Sequence, residues 1–303
     1  MAIPLPLLDG PFPAVSLAHL DDLWFQVGGT LCNLECRHCF ISCSTHNHTF
    51  GFLGLETVRK ALEESVNLGV KEYYFTGGEP FLNPDMVSIL ELTLQYGPAT
   101  VLTNGTVFKD QWLARLVAAK SASPYSLEFR VSIDGFTAES NDPIRGPGTF
   151  ERAMHGVCQL VSRGFLPIIT VARVTEDEDD EALIEGFLAM LRAHGYHRPR
   201  IKVLPTLRIG AEADRGRGYH LQERVTDQMM DGYDESQLIC NHSRIITDQG
   251  VFVCPILIEA PDARLGTSLA EALGPYSLRH NACYTCYQYG ALCANPSSGG
   301  RDA

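Results

Sequence analysis

The sequence lacks long apolar runs and a basic amino-terminal segment. Its uninterrupted apolar stretches are much shorter than the ~18 residues that a transmembrane helix needs. A secretory signal places basic residues before an apolar stretch, and the start of this chain has none. These absences predict a cytoplasmic protein with no membrane partner.

Positive charge is also scarce. The 24 lysine and arginine residues are outnumbered by 36 aspartate and glutamate residues, and no basic cluster offsets the formal net charge of -12. A protein that follows nucleic-acid phosphates needs the opposite balance. We therefore expect no nucleic acid among its partners.

Cysteine, by contrast, is plentiful. The chain has ten cysteines, most of them in two groups, one near residues 32–43 and one near residues 240–293. Because the cytosol keeps thiols reduced, such groups indicate metal ligands or reactive thiols rather than disulfides.

Short apolar runs alternate with helical patterns along the first two thirds of the chain. We predict strands over residues 23–27, 73–76, 99–103, 127–133, 166–174 and 201–204, and helices over residues 55–68, 84–97, 110–119, 149–163 and 179–194. Six such alternations indicate an α/β fold with a parallel sheet, whose active site lies at the carboxyl ends of the strands. The predicted division is an amino-terminal arm (1–22), a barrel core (23–207), a polar linker (208–236) and a cysteine-rich module (237–303).

The loop after the first strand carries Cys32, Cys36 and Cys39, with His38 and Phe40 beside the last thiol. Structural zinc sites and electron-transfer clusters usually have four protein ligands, so three thiolates would leave one iron of a 4Fe-4S cluster open to an outside ligand. The alternative is three buried core cysteines.

Small polar residues follow the next strands. The second strand ends in Gly77, Gly78 and Glu79, where glycines allow a ligand to approach the backbone and a carboxylate can receive an amine. Asn104 and Asp134 stand after the third and fourth strands. Each precedes a glycine, so turn chemistry is an equally good explanation for both.

The three-cysteine loop followed by the Gly77–Gly78–Glu79–Pro80 stretch resembles the radical S-adenosylmethionine (SAM) superfamily. The resemblance implies a partial (β/α)6 barrel, a 4Fe-4S cluster on the three thiolates, SAM chelated to the open iron, and a 5'-deoxyadenosyl radical that abstracts hydrogen from substrate. It also implies an electron donor such as flavodoxin or ferredoxin. The SAM contacts that it implies are His38, Phe40, Gly77, Gly78, Glu79 (amino group), Asn104, Ser132, Asp134, Arg145 (carboxylate) and Leu204.

The carboxyl-terminal cysteines resemble the abbreviated SPASM module, or twitch domain, of that superfamily. The resemblance implies a second, auxiliary 4Fe-4S cluster on four thiolates, those of Cys240, Cys254, Cys283 and Cys286. A zinc ribbon is the rival interpretation. Cys293 is a fifth thiol, and either it or Cys254 is left without a metal, as a packed side chain or as a donor of a hydrogen atom to substrate.

These features predict a radical SAM oxidoreductase or epimerase. About twenty residues precede the first strand, which we read as too few for a leader-peptide recognition domain. We therefore expect a small polar substrate such as a sugar or aminocyclitol. The alternative is a peptide-modifying maturase, and the non-enzyme alternative is an iron-sulfur electron-transfer or zinc-binding protein.

Overall fold

A computed structural model describes residue 8, residues 10–174, residues 179–290 and residue 292. The strands in chain order are β1 (Ala14–Val15), β2 (Asp22–Phe25), β3 (Glu72–Phe75), β4 (Ala99–Thr103), β5 (Leu127–Ser132), β6 (Ile168–Arg173), β7 (Arg200–Pro205), β8 (Ser243–Thr247), β9 (Gly250–Phe252), β10 (Arg264–Gly266) and β11 (Tyr276–Ser277). The α-helices are α1 (Leu55–Val66), α2 (Met86–Thr93), α3 (Asp110–Ala122), α4 (Ala138–Arg145), α5 (Thr149–Ser162), α6 (Asp180–Ala193), α7 (Ala211–Arg215), α8 (Asp227–Met230) and α9 (Ala282–Tyr289). No helix in these ranges is long and apolar enough to cross a membrane.

The six predicted strands form a continuous parallel sheet. Strands β2 to β7 pair in sequence order, each parallel to the next. All five predicted helices are present, within a few residues of the expected bounds. One face of the sheet packs against the helices through buried side chains such as Phe75, Val101 and Leu113. The opposite face of the sheet lines the interior of its curve.

The carboxyl-terminal region shares this sheet. Strand β8 is buried along its whole length and pairs in parallel with β2, and β9 and β10 continue the order antiparallel. At the other end of the chain, β1 of the predicted arm pairs with β11. The large sheet therefore spans the predicted boundary at residue 237, while the arm and the cysteine-rich region together form a separate two-stranded sheet.

The predicted polar linker is ordered against the three-cysteine loop. Ala211 donates its backbone N–H to the carbonyl of Cys39 at 3.0 Å. A Cβ atom on Gly210 would lie 2.4 Å from the carbonyl oxygen of Phe40, and Gly210 has a φ of +57°, so only glycine suits this approach. The linker thus fixes the outer side of the loop.

Helix α4 is not among the helices predicted from the sequence. Thr137 caps it and forms a reciprocal capping box with Ser140, while Pro143 lies inside the helix and obscures its pattern in the sequence. The helix ends at Arg145 and so brings this guanidinium to the carboxyl ends of the strands.

Candidate active site

A cavity of about 240 Å³ lies at the carboxyl ends of the parallel strands. Most of the predicted site residues line it: Cys32, Cys36, His38, Cys39, Phe40, Gly77, Gly78, Asn104, Ser132, Arg145 and Leu204. Residues from β5, β7 and α4 and from three loops therefore meet at one place, as expected for a parallel α/β sheet.

Nitrogen donors surround the thiols of the loop. The Cys32 Sγ accepts hydrogen bonds from the backbone N–H of Leu34 at 3.4 Å and from Asn104 Nδ2 at 3.7 Å. The Cys36 Sγ lies 3.9 Å from Arg145 Nη1. Donors of this kind stabilise sulfur that carries negative charge, so the surroundings fit thiolates bound to a cluster.

Cys43 is a fourth thiol beside the three. It is buried, it lines the same cavity, and its backbone N–H lies 3.3 Å from Cys39 Sγ. A hydrogen bond from the Cys43 side chain lowers the pKa of Cys39 to about 6. Burial instead raises the pKa of Cys32 to about 12 and that of Cys36 to about 11. Iron would therefore have to displace protons from these two thiols on binding.

The two glycines after β3 pack directly on the loop that leads to the thiols. A Cβ on Gly78 would lie 2.0 Å from the carbonyl oxygen of Leu31, and one on Gly77 would lie 2.7 Å from Gly28. The backbone N–H of Gly78 also donates to the carbonyl of Gly29 at 2.9 Å. Any side chain at residue 78 would push the cysteine loop away.

Glu79 is fully buried and does not line the cavity. Its carboxylate accepts hydrogen bonds from the backbone N–H groups of Phe81 (3.0 Å) and Asn104 (2.8 Å) and from the Thr103 hydroxyl (2.8 Å). Burial nevertheless raises the pKa of Glu79 to about 7. The carboxylate thus ties the end of β4 to the glycine turn, and its predicted contact with the SAM amino group stays a prediction.

Asp134 is the partner of Arg145. Its Oδ2 lies 2.6 Å from Arg145 Nε, in an ion pair whose geometry is not that of a linear hydrogen bond, and 3.0 Å from His38 Nε2. Burial alone would raise the pKa of Asp134, but Arg145 and His38 outweigh it and hold the pKa well below the usual range. Asp134 therefore orients the Arg145 guanidinium and does not line the cavity. The Asn104 side chain has two roles, because it accepts a hydrogen bond from the backbone N–H of Thr106 within its turn and donates one to the Cys32 thiol.

Among the lining residues that the sequence analysis did not predict are two pairs on strands β2 and β6: Trp24 with Gln26, and Thr170 with Ala172. Trp24 lies in β2 and Gln26 directly follows that strand, two residues on, and Thr170 and Ala172 have the same spacing on β6. This spacing places each pair on the same face of its strand. The alternation of side chains along these strands can be read in the sequence, but nothing in the sequence distinguishes the face that lines the interior from the face that the helices cover.

The carboxyl-terminal thiols line a separate cavity of about 20 Å³, which holds Cys240, Cys254, Cys283 and Cys286. In the described ranges, no three His, Cys, Asp or Glu side chains are grouped around a single metal ion. Cys254 lines this small cavity and not the large one, and its role as a hydrogen-atom donor stays a prediction. Cys293 falls outside the described residues.

A buried cation stands beside the small cavity. Arg244 is fully buried, and its guanidinium donates to the carbonyl oxygens of Ala272 (2.6 Å), Cys240 (2.8 Å), Ser243 (2.7 Å) and Gly274 (2.9 Å). Burial lowers its pKa to about 10, while the neighbouring Cys240 and Cys254 oppose that shift. A charge buried among carbonyl groups is best balanced by nearby anions, which ionised thiols would supply.

The family model of the radical SAM superfamily matches residues 27–185, more than half of the chain. The chain is 27% identical over 225 residues to the mycofactocin maturase MftC of Mycobacterium tuberculosis, an alignment that covers 73% of this chain and 52% of the relative. It is 35% identical over 128 residues to the AdoMet-dependent heme synthase of Methanosarcina barkeri, over 42% of this chain and 35% of the relative. The chain spans about half the length, or less, of these curated relatives.

Among solved structures, Streptococcus suis SuiB has the same fold. Bound to S-adenosylmethionine it gives a TM-score of 0.64 at 15% identity, over 83% of this chain and 64% of that chain. Bound to its precursor peptide SuiA it gives 0.63 at 14% identity, over 82% and 62%. The predicted fold class is thereby confirmed.

Proposed function

Because the chain belongs to the radical SAM superfamily, we propose that it is a peptide-modifying radical SAM enzyme. Cys32, Cys36 and Cys39 would hold a 4Fe-4S cluster, and SAM would bind beside it in the large cavity. Together the two groups supply hydrogen abstraction from an unreactive carbon. The observation that carries this proposal is the convergence of the three thiols, the glycine pair and Arg145 on one cavity.

We propose that the small cavity holds an auxiliary 4Fe-4S cluster on Cys240, Cys254, Cys283 and Cys286. The buried charge of Arg244 supports an anionic, metal-loaded site there. A cluster distributes its thiolates over several iron atoms, whereas a zinc ion draws four thiolates to one point. The four described thiols line one cavity, an arrangement that fits a cluster.

The peptide replaces the small polar substrate that we expected from the sequence. The MftC and SuiB likenesses support it, since one is named a maturase and the other is a complex with a precursor peptide. The wall of the cavity supports it too, because many of its side chains are apolar, among them Leu34, Leu102, Ala172 and Leu207. A sugar or aminocyclitol needs a polar partner for each hydroxyl group, while a peptide residue can bury an apolar side chain.

We further propose net oxidation of the peptide over epimerisation. An epimerase needs a thiol or other donor to return a hydrogen atom, and Cys254 lies in the small cavity. Cys43 is the remaining described thiol that lines the large one besides the three of the loop, and its S–H is already engaged in a hydrogen bond to Cys39.

The test is anaerobic incubation of the reconstituted enzyme with SAM, dithionite and either a synthetic peptide library or a pool of sugars and aminocyclitols, in deuterated water. We expect peptides to raise 5'-deoxyadenosine formation and to appear as oxidised products without deuterium at the reacting carbon. Cys158→Ala is the matched control, since this thiol lies on α5 away from both cavities and should change nothing. Stimulation by the sugar pool alone would contradict the peptide substrate. Deuterium at a peptide carbon that disappears in Cys43→Ala would indicate an epimerase.

A further inference from the structure

Cys43 follows Cys39 by four residues and donates to its sulfur through two groups. The backbone N–H of Cys43 lies 3.3 Å from Cys39 Sγ, and the two thiols are hydrogen-bonded to each other. Cys43 is 6% exposed and lines the large cavity together with Cys39. Because these groups are shielded from water, each hydrogen bond to the sulfur is stronger than it would be at the surface.

The backbone between the two cysteines is held from two directions. Ser42 donates its backbone N–H to the carbonyl of Cys39 at 3.1 Å and has a φ of +46°, a left-handed conformation that few serines adopt. Asn47 Nδ2 donates to the Ser42 carbonyl at 3.1 Å, and the backbone N–H of Ala211 lies 3.1 Å from Ser42 Oγ. These contacts hold an unfavourable conformation that turns Cys43 back toward Cys39.

The three thiols of the loop meet different donors. Cys32 accepts from a backbone N–H and a side-chain amide, and Cys36 lies beside the Arg145 guanidinium. Cys39 instead meets the N–H and the thiol of Cys43. Arg145 is also a predicted SAM contact, whereas Cys43 is not. A substitution of Cys43 can therefore change the hydrogen bonds to the loop without removing a predicted contact with SAM.

Hydrogen bonds to the sulfur ligands of an iron-sulfur cluster help to set its reduction potential. Reduction adds negative charge to the cluster and its thiolates, so a donor at a thiolate stabilises the reduced form more than the oxidised form. A thiolate bound to iron carries no proton. The proton between the two sulfurs would then belong to Cys43, whose side chain would be the donor.

We propose that Cys43 is a positioning residue that acts through Cys39: its thiol and its backbone N–H orient the Cys39 sulfur and raise the reduction potential of the cluster on that sulfur. This inference rests on the proposed function, since it needs a cluster on Cys32, Cys36 and Cys39. A higher potential favours reduction of the cluster by an outside electron-transfer protein. The S–H that serves Cys39 is not available to the substrate, which agrees with the proposed oxidation.

A redox titration of the anaerobically reconstituted enzyme tests this role, with the reduced clusters followed by electron paramagnetic resonance. SAM is then added to a reduced sample to assign the signals, because only a cluster with an open iron should respond to it. Cys43→Ala removes the thiol donor and keeps the backbone N–H, while Cys43→Ser replaces the thiol by a hydroxyl donor. Cys158→Ala is the control, since this thiol lies on α5 away from both cavities.

We expect the equilibrium constant for one-electron reduction of the SAM-responsive cluster to fall roughly 3- to 10-fold in Cys43→Ala, a tenfold fall being a shift of about 59 mV to lower potential. Cys43→Ser should keep a potential at or above that of the wild type. The potential of the auxiliary cluster should be the same in every variant, as should the iron content. Cys158→Ala should match the wild type throughout.

Three results would overturn the role of Cys43 and leave the cluster assignment intact. The first is an unchanged potential of the SAM-responsive cluster in Cys43→Ala. The second is a lower potential in Cys43→Ser, which would make the size of the side chain responsible and can be read without the alanine variant. The third is loss of about half of the iron in Cys43→Ala, because Cys43 would then be a cluster ligand. A wild-type enzyme in which no cluster responds to SAM would contradict the proposed function itself.

Discussion

The two thiol-lined cavities differ in size and polarity. The large one, of about 240 Å³, combines Cys32, Cys36 and Cys39 with polar groups from several strand ends. The small one, of about 20 Å³, is lined by its four thiols and by apolar side chains. Three thiols beside polar groups suit a cluster that binds a further ligand, and four thiols among apolar side chains suit a cluster that only carries electrons.

The two cavities also differ in how the arginine beside each of them is paired. Arg145 at the large cavity is paired with Asp134 and keeps its two terminal nitrogens near Cys36 and His38. Arg244 at the small cavity donates only to carbonyl groups among the contacts of its guanidinium described above. The first arrangement positions a cation for an incoming carboxylate, whereas the second balances a fixed anionic site.

The largest expected effect comes from removing each set of thiols. The triple variant Cys32→Ala, Cys36→Ala and Cys39→Ala should lose about half of the iron and all SAM cleavage, because thiolate ligation holds each cluster. Replacing Cys240, Cys254, Cys283 and Cys286 by Ala should remove the other half of the iron while SAM still binds. Iron analysis and 5'-deoxyadenosine assays measure both.

Either of two results would contradict the assignment of a SAM-binding cluster to the large cavity and an auxiliary cluster to the small one. SAM cleavage at the wild-type rate in the triple variant would remove the chemistry from the large cavity. Zinc, in place of iron, in the triple variant, which retains Cys240, Cys254, Cys283 and Cys286, would identify the small cavity as a structural zinc site.

The parallel core was predictable because its strands and helices each have a clear period. Strand β4 matched its predicted bounds, residues 99–103, and the cysteine loop and glycine turn fell at strand ends where a parallel sheet brings them together. These features are local in sequence. Each one can be recognised without knowledge of the rest of the chain.

The rest depended on contacts between distant segments. The apolar stretch of β8 carries no mark that it pairs with β2, about 220 residues earlier, and not within a separate module. The Asp134–Arg145 pair was hidden because Pro143 masks α4. The orientation of Glu79 toward Thr103, away from the cavity, follows from packing that no short motif encodes.

A smaller effect is expected from the cation of the large cavity. Arg145→Ala should weaken SAM binding roughly tenfold or more, because charge-assisted contacts to a carboxylate contribute about 1.5 to 3 kcal/mol. Asp134→Asn should weaken it less, since the guanidinium stays but loses its anchor. Anaerobic equilibrium dialysis with labelled SAM measures both constants. Arg115→Ala, which removes an exposed ion pair with Glu91, is the control and should bind SAM normally. Unchanged affinity in Arg145→Ala would mean that the SAM carboxylate lies elsewhere.

The smallest expected effect concerns the carboxyl group of Glu79, which is buried directly after the two glycines that line the large cavity. Because burial raises the pKa of Glu79 to about 7, the folded protein without SAM keeps a proton there that the unfolded chain has already released. The free energy of unfolding should therefore fall as pH rises from about 4.5 to about 7, by roughly 1 to 3 kcal/mol from this group. Glu79→Gln resembles the protonated form, so denaturant titrations of this variant should lack that part of the decline. Glu56→Gln, at an exposed carboxylate on α1, should keep the wild-type pH dependence. The contrary result is that Glu79→Gln shows the same pH dependence as the wild type. It would mean that the three hydrogen bonds to the Glu79 carboxylate keep it ionised in the folded protein. A direct contact between this charged carboxylate and the SAM amino group would then be the better explanation for Glu79.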